Sequence, residues 1–125
     1  MVEIKSNDIK LVETQSLKPN PKNPNKHPQE QIERLCKIIK KQGFRLPIVV
    51  SNQSGFVVTG HGRLECALKL GMEKVPVIFE DFESSDLEYA HMTADNSINQ
   101  WSVVDWSLVN LEIENLGPMD IELLG

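Results

Sequence analysis

The chain has 125 residues, 40% of them apolar, with 13 Lys and Arg set against 18 Asp and Glu. That is the size of one domain, with no room for a second substantial core. Leu, Ile, Val and Phe supply 38 residues, more than a disordered chain carries, and no apolar run approaches the ~20 residues of a membrane-spanning helix.

The sequence therefore predicts a single domain over residues 1–125, with 8–100 as its core and 101–125 as a C-terminal helical extension. The start, Met1-Val2-Glu3-Ile4-Lys5, has no apolar stretch behind a basic end, so no signal peptide is expected. Cys36 and Cys66 stand far apart in helix-like contexts, which suits a reducing compartment and is no disulfide framework. A cytoplasmic protein with no membrane partner is expected. Charge is uneven: residues 1–50 hold ten Lys and Arg against five Asp and Glu, and residues 51–125 hold three against thirteen. The basic half suits phosphate, while the acidic half would repel a duplex. A solubilising surface would give the same pattern, so charge alone leaves both open.

In chain order, Ile9 to Leu17 reads as a strand. Pro19 to Pro28 holds four prolines in ten residues, which predicts an extended, ordered loop. Pro28 stands where a first helical residue belongs, with Glu30 in the same turn. Ile32, Leu35, Cys36 and Ile39 follow as one apolar helical stripe, and Gly43 is placed as a left-handed cap. Pro47 to Val50 and Phe56 to Val58 read as strands joined by a short turn. A helix with Leu64, Ala67 and Leu68 then closes at Gly71, and Val75 to Phe79 is a further strand. Pro76 suggests an edge or strand-start position for it. Ser85 and Glu88 have capping-box spacing, and Leu87, Ala90, His91, Ala94 and Ile98 continue as a stripe on which His91 is expected half-buried and hydrogen-bonded. Asp105 can cap a last helix through Val109, Ile113 and Leu116, stopped by Gly117-Pro118. The fold class is α+β.

Chemistry concentrates in Phe56-Val57-Val58-Thr59-Gly60-His61-Gly62-Arg63, a strand entering a two-glycine loop that leaves as a helix. Such a junction presents backbone amides at a helix N-terminus, where an anion is favoured. Arg63 adds a permanent cation for phosphate, and His61 a second donor or a general base. A plain tight turn with a surface arginine would look the same. Glu65 stands where a dinucleotide fingerprint needs a small residue, and no Gly-Lys-Ser/Thr follows, so neither of those phosphate motifs applies. Asp95 and Asn96, adjacent near a helix end, suit a magnesium ion or a ribose hydroxyl, or merely cap the helix. His27, His61, His91, Cys36 and Cys66 contain no close-spaced pair for zinc.

Asn23-Pro24-Asn25-Lys26-His27, Gly43-Phe44 before Pro47-Ile48-Val49-Val50, and Gly60-His61-Gly62-Arg63-Leu64 together resemble the ParB-like N-terminal domain of the ParB/sulfiredoxin superfamily. Leu70-Gly71, Val75-Pro76-Val77-Ile78, Ala94-Asp95-Asn96 and Trp106 continue the match over roughly residues 8–125. The likeness is strongest to versions that precede phage and bacterial DNA adenine methyltransferase domains. It implies a small mixed β-sheet flanked by helices, and a pocket for a nucleotide, CTP or ATP, with magnesium. By position, Gly60, His61, Gly62 and Arg63 would hold phosphate, and Asn96 would face phosphate. Asp95 would hold the metal, and Asn23, Lys26 and His27 would close the site.

The resemblance thus implies a nucleotide- and phosphate-binding module for DNA modification or another DNA transaction, phage-associated. Its partners would be nucleotide and DNA or a DNA-modifying protein, with a homodimer allowed. Sulfiredoxins need a cysteine where His61 stands, and no Asn/Asp-Pro-Pro-Tyr/Phe motif is present, so reductase or methyltransferase activity is not expected. The rival readings are a metal-dependent nuclease or phosphotransferase with His61 as its catalytic residue (Asp95 or Glu65 being other candidate bases), and a protein-interaction module without ligand.

Overall fold

The computed structural model describes residues 1–101 and 104–115, in which four strands form one mixed sheet accompanied by four α-helices. The strands are β1 (Ile9–Glu13), β2 (Ile48–Ser51), β3 (Val57–Thr59) and β4 (Lys74–Glu80), in the spatial order β1-β4-β2-β3. The helices are α1 (Gln29–Gln42), α2 (His61–Lys69), α3 (Ser85–Trp101) and α4 (Trp106–Asn115). β2 pairs with β3 antiparallel and with β4 parallel, and β1 pairs with β4 antiparallel. This is the α+β, mixed-sheet architecture that the sequence implies. No helix among the described residues is long and apolar enough to cross a membrane.

The core forms where alternation along the strands meets the helical stripes. Ile48, Val50, Val57, Val75 and Val77 from the sheet pack with Leu64 and Ala67 of α2. A neighbouring cluster joins Ile32 and Ile39 of α1 to Cys66 of α2, with Leu35 and Cys36 half-buried beside it. Phe44 touches both clusters and links them. The predicted α1 stripe is thus the buried one.

Local chemistry shifts several boundaries from the sequence expectations. β1 ends at Glu13, four residues short of Leu17, because Thr14–Ser16 turns as a 3-10 helix. Ser16 Oγ donates to the Glu13 carbonyl at 2.7 Å, and the Thr14 amide to the Glu73 carbonyl at 2.9 Å. Pro28 precedes α1 as its cap, at ψ 149, and its carbonyl accepts the Ile32 amide at 3.2 Å. Gly43 has the expected positive φ of 91, but ψ 165 sends the chain out extended and not as a left-handed cap. β4 lies inside the sheet between β1 and β2, not at an edge. Its parallel ladder with β2 begins at Val77, one residue past Pro76, which lacks the amide.

α3 differs most. Its cap is Ser84 and not Ser85: the Leu87 amide donates to Ser84 Oγ at 3.1 Å and the Glu88 amide to the Ser84 carbonyl at 3.0 Å. The Glu88 carboxylate accepts the Ser54 hydroxyl at 2.9 Å, so its nearest partner is the β2–β3 turn and the expected capping box does not form. Glu88 and Met92, 5% and 1% exposed, make the buried side where α3 packs on β3. The predicted stripe lies round the helix from these: Leu87 and Ile98 are each 51% exposed, and Ala90, His91 and Ala94 also face solvent. His91 is exposed, with its ring 5.6 Å from that of Phe82. The expected Asp105 cap on α4 does form, its Oδ1 accepting the Leu108 amide at 3.1 Å. Leu116, Gly117 and Pro118 lie outside the described residues.

Ile48 has no exposed surface and sits where sheet and α2 meet. Ile48→Ala should cost about 2–5 kcal/mol in urea unfolding. Leu111→Ala, on a half-exposed residue of α4, should cost less than about 0.5 kcal/mol.

Candidate phosphate-binding site

β3 becomes α2 through one residue. Gly60 adopts φ 96 and ψ 24, a left-handed conformation that L side chains resist. A Cβ there would also stand 3.1 Å from both Arg63 Nη2 and Ile48 Cγ1. The Gly60 carbonyl accepts the Leu64 amide at 2.9 Å and starts the helix. The amides of His61, Gly62 and Arg63 open the helix and have no intrahelical acceptor, which makes this end an anion cradle.

Arg63 is half-buried beside that cradle. Its Nη2 donates to the Pro47 carbonyl at 3.3 Å, and its buried Nε has no hydrogen-bond partner. Burial pushes its pKa below the usual arginine value, and the Asp95 carboxylate opposes that shift. An arginine remains charged under any ordinary condition. One buried donor on a permanent cation therefore awaits an acceptor.

The proline-rich loop is ordered, as expected, and asparagine side chains do much of the ordering. Asn20 Oδ1 accepts the Lys22 amide at 2.9 Å, and Asn23 Oδ1 accepts the Asn25 amide at 3.2 Å. Two contacts tie the loop to the rest of the site. His61 Nε2 accepts the Asn20 amide at 3.1 Å, and Asn96 Nδ2 of α3 donates to Asn23 Oδ1 at 3.3 Å. The bare Cα of Gly62 leaves room for a third approach, by His27. A Cβ at Gly62 would stand 3.4 Å from His27 Nε2 and 3.3 Å from Leu35 Cδ2.

Gly60, His61, Gly62, Arg63, Asn23, His27, Asp95 and Asn96 thus lie around one junction. Lys26 lines, with Asn23, His27, His61 and Glu65, a cavity of about 420 Å³ between the loop and α2. A larger cavity of about 570 Å³ lies elsewhere along the loop, lined by Lys22, Ser54, Asp86, Glu88 and Tyr89. Its two carboxylates make it a poor place for phosphate. No group of three or more His, Cys, Asp or Glu is arranged to hold a metal among the described residues. A magnesium ion at Asp95 would take its remaining ligands from phosphate oxygens and water.

Sequence reasoning missed Asn20 and the Pro47 carbonyl. Asn20 offered no signal beyond membership of the loop, since its partner lies 41 residues away. Pro47 contributes only a backbone oxygen, which no residue type announces.

His61 accepts through Nε2, so the folded ring is neutral with its proton on Nδ1. Burial, and secondarily the neighbouring His27, lower its pKa below the usual histidine value. The unfolded chain therefore takes up the proton first as pH falls. This contribution to stability is complete above about pH 6.5 and is lost as pH drops toward the folded pKa. Urea unfolding across that range should show the decline in the native chain and a shallower one in His61→Gln.

Residues 1–96 match the model of the ParB N-terminal domain. The ParB-like nuclease domain-containing protein YnaK of Escherichia coli K12 is 38% identical over 64 residues, which cover 51% of this chain and 72% of that protein. The fold is similar to the C-terminally truncated chromosome-partitioning protein ParB from Caulobacter crescentus complexed with CTP-gamma-S. There the TM-score is 0.68 at 21% identity, covering 79% of this chain and 57% of that one. Sulfiredoxin from Arabidopsis thaliana gives a TM-score of 0.56 at 18% identity, over 69% of this chain and 98% of that one.

Proposed function

The chain belongs to the ParB N-terminal domain family, and on that premise we propose that it binds a nucleotide by its phosphates at the start of α2. The observation that carries this reading is Arg63, a half-buried cation whose Nε lacks a partner, beside three helix-start amides. Phosphate oxygens satisfy both the guanidinium and the amides, and Gly60 and Gly62 let them approach the backbone. Asn23, Lys26 and His27 line the loop side, and Asn96 reaches the site from α3. CTP is the first candidate, since the ParB of similar fold was solved with CTP-gamma-S; ATP is the second. Magnesium would sit between Asp95 and the phosphates.

The bound module serves a DNA transaction, with DNA modification in a phage setting as the specific case. Lys40, Lys41 and Arg45, exposed around the end of α1, supply a positive surface for a duplex. Two copies are expected to pair through the exposed apolar residues of α3 and α4, among them Leu87, Ile98, Trp106, Leu108 and Leu111. Nuclease or phosphotransfer chemistry at His61 has less support. The imidazole nitrogen that would take a proton already accepts the Asn20 amide.

Thermal unfolding with CTP, ATP or GTP, each with and without magnesium, tests the proposal. Ligand at a hundred times its Kd stabilises by about 2.7 kcal/mol, a rise in Tm on the order of ten degrees for a chain this size. The rise should favour one base and disappear in Arg63→Ala, whose ligand-free circular dichroism should match that of the native chain. No rise with any nucleotide, or an equal rise in Arg63→Ala, would refute it. Light scattering on the same samples reads whether two copies pair.

A further inference from the structure

Cys36, on α1, and Cys66, on α2 one turn beyond Gly62, are both free thiols. Their sulfurs lie 2.6 Å apart, well inside the roughly 3.5–4.0 Å at which even carbon atoms pack. Cys66 has no exposed surface, and Cys36 is half-buried at the outer side of the pair. Around them stand Ile32, Leu35, Ile39 and Phe44, apolar side chains without a metal-ligating atom. Two sulfurs alone do not make a zinc site. The chain contains just these two cysteines, so no third thiol within it competes.

We infer that Cys36 and Cys66 form a reversible dithiol–disulfide couple, oxidised by a small disulfide such as oxidised glutathione. The inference rests on the α1–α2 seam and is independent of the nucleotide reading. Cys36, the sulfur nearer solvent, loses its proton and attacks one sulfur of glutathione disulfide. A protein–glutathione S–S bond forms, the glutathione S–S bond breaks, and one glutathione thiolate leaves. Cys66 then loses its proton, attacks the Cys36 sulfur and expels the second glutathione. The two protons end on the two glutathiones, and the two electrons lost by the protein reduce the glutathione disulfide. Burial, with the Cys36 thiol adjacent, pushes the Cys66 thiol up to about 12, so the second step quickens as pH rises.

The bond closes a loop running from α1 through β2 and β3 to α2. It would clamp the seam just behind Gly62, on which Leu35 and His27 already sit.

The test incubates the full chain with excess oxidised glutathione at mildly alkaline pH, quenches in acid, removes the glutathione, and then alkylates the protein with iodoacetamide in denaturant at about pH 8, where free thiols ionise. Intact mass should show a monomer lighter by two hydrogens and carrying no alkyl group. A digest without reductant should contain a Cys36–Cys66 cross-linked peptide, and dithiothreitol should restore both thiols. Oxidation should also raise Tm on the order of ten degrees, as expected for a loop of this length. Cys66→Ser should stop at a glutathione adduct on Cys36. Two alkylatable thiols in the treated native chain, a lasting glutathione adduct on it, or disulfide-linked dimers would each overturn the inference.

Discussion

Between Thr59, the last residue of β3, and His61, the first of α2, the chain has one residue in which to reverse. Only a glycine meets the two conditions imposed there, a positive φ and no Cβ between Ile48 and Arg63. The same residue therefore sets the packing of a core strand, the start of a helix and the position of a guanidinium. Because Arg63 also reaches the Pro47 carbonyl, the entry to β2 and the start of α2 are held at a fixed separation. An unpartnered buried donor costs about 1–3 kcal/mol. The Nε of Arg63 is such a donor, in the place where the fold also gathers free helix amides.

The proline-rich loop depends on that junction without belonging to it. Proline removes amides that would otherwise need partners, and the asparagines supply local acceptors in their place. What anchors the loop to the domain is a small set of polar contacts and one close approach: Asn20 to His61, Asn23 to Asn96, and His27 against Gly62. Each is single and part-exposed, in contrast to the buried strands below. These contacts hold the loop in register against α2 and α3.

Much of this was legible in the sequence wherever local chemistry decides. The α1 stripe, the strands flanking the hairpin turn, the Gly60 junction and the Asp105 cap follow from spacing and residue type alone. The failures fall where tertiary contacts decide. Ser85 and Glu88 have capping-box spacing, but the Glu88 carboxylate takes the Ser54 hydroxyl, a partner 34 residues away. The α3 stripe is apolar enough to be read as core, yet the side that meets β3 is the one bearing Glu88 and Met92. Pro76 allowed an edge or a strand-start position: the strand is internal, and Pro76 stands near its start, one residue before the β2 ladder begins. At the site, side-chain chemistry named the cation and the glycines. Backbone contributions, such as the Pro47 carbonyl and the Asn20 amide, have no residue signature to read.

β4 at the centre of the sheet has a consequence for how the domain assembles. β2 and β3 pair through a short hairpin, a contact that closes at small entropic cost, and the parallel β2–β4 ladder closes the longer crossover from Ile48 to Val77. β1 is different, for its register joins Ile9 to Ile78 and Glu13 to Lys74 across most of the domain. That pairing closes the longest loop in the sheet, and the proline-rich loop follows it in the chain. β1 precedes β4 in the chain and so has no edge to join until β4 is made, and the loop wall of the candidate site lies between the two.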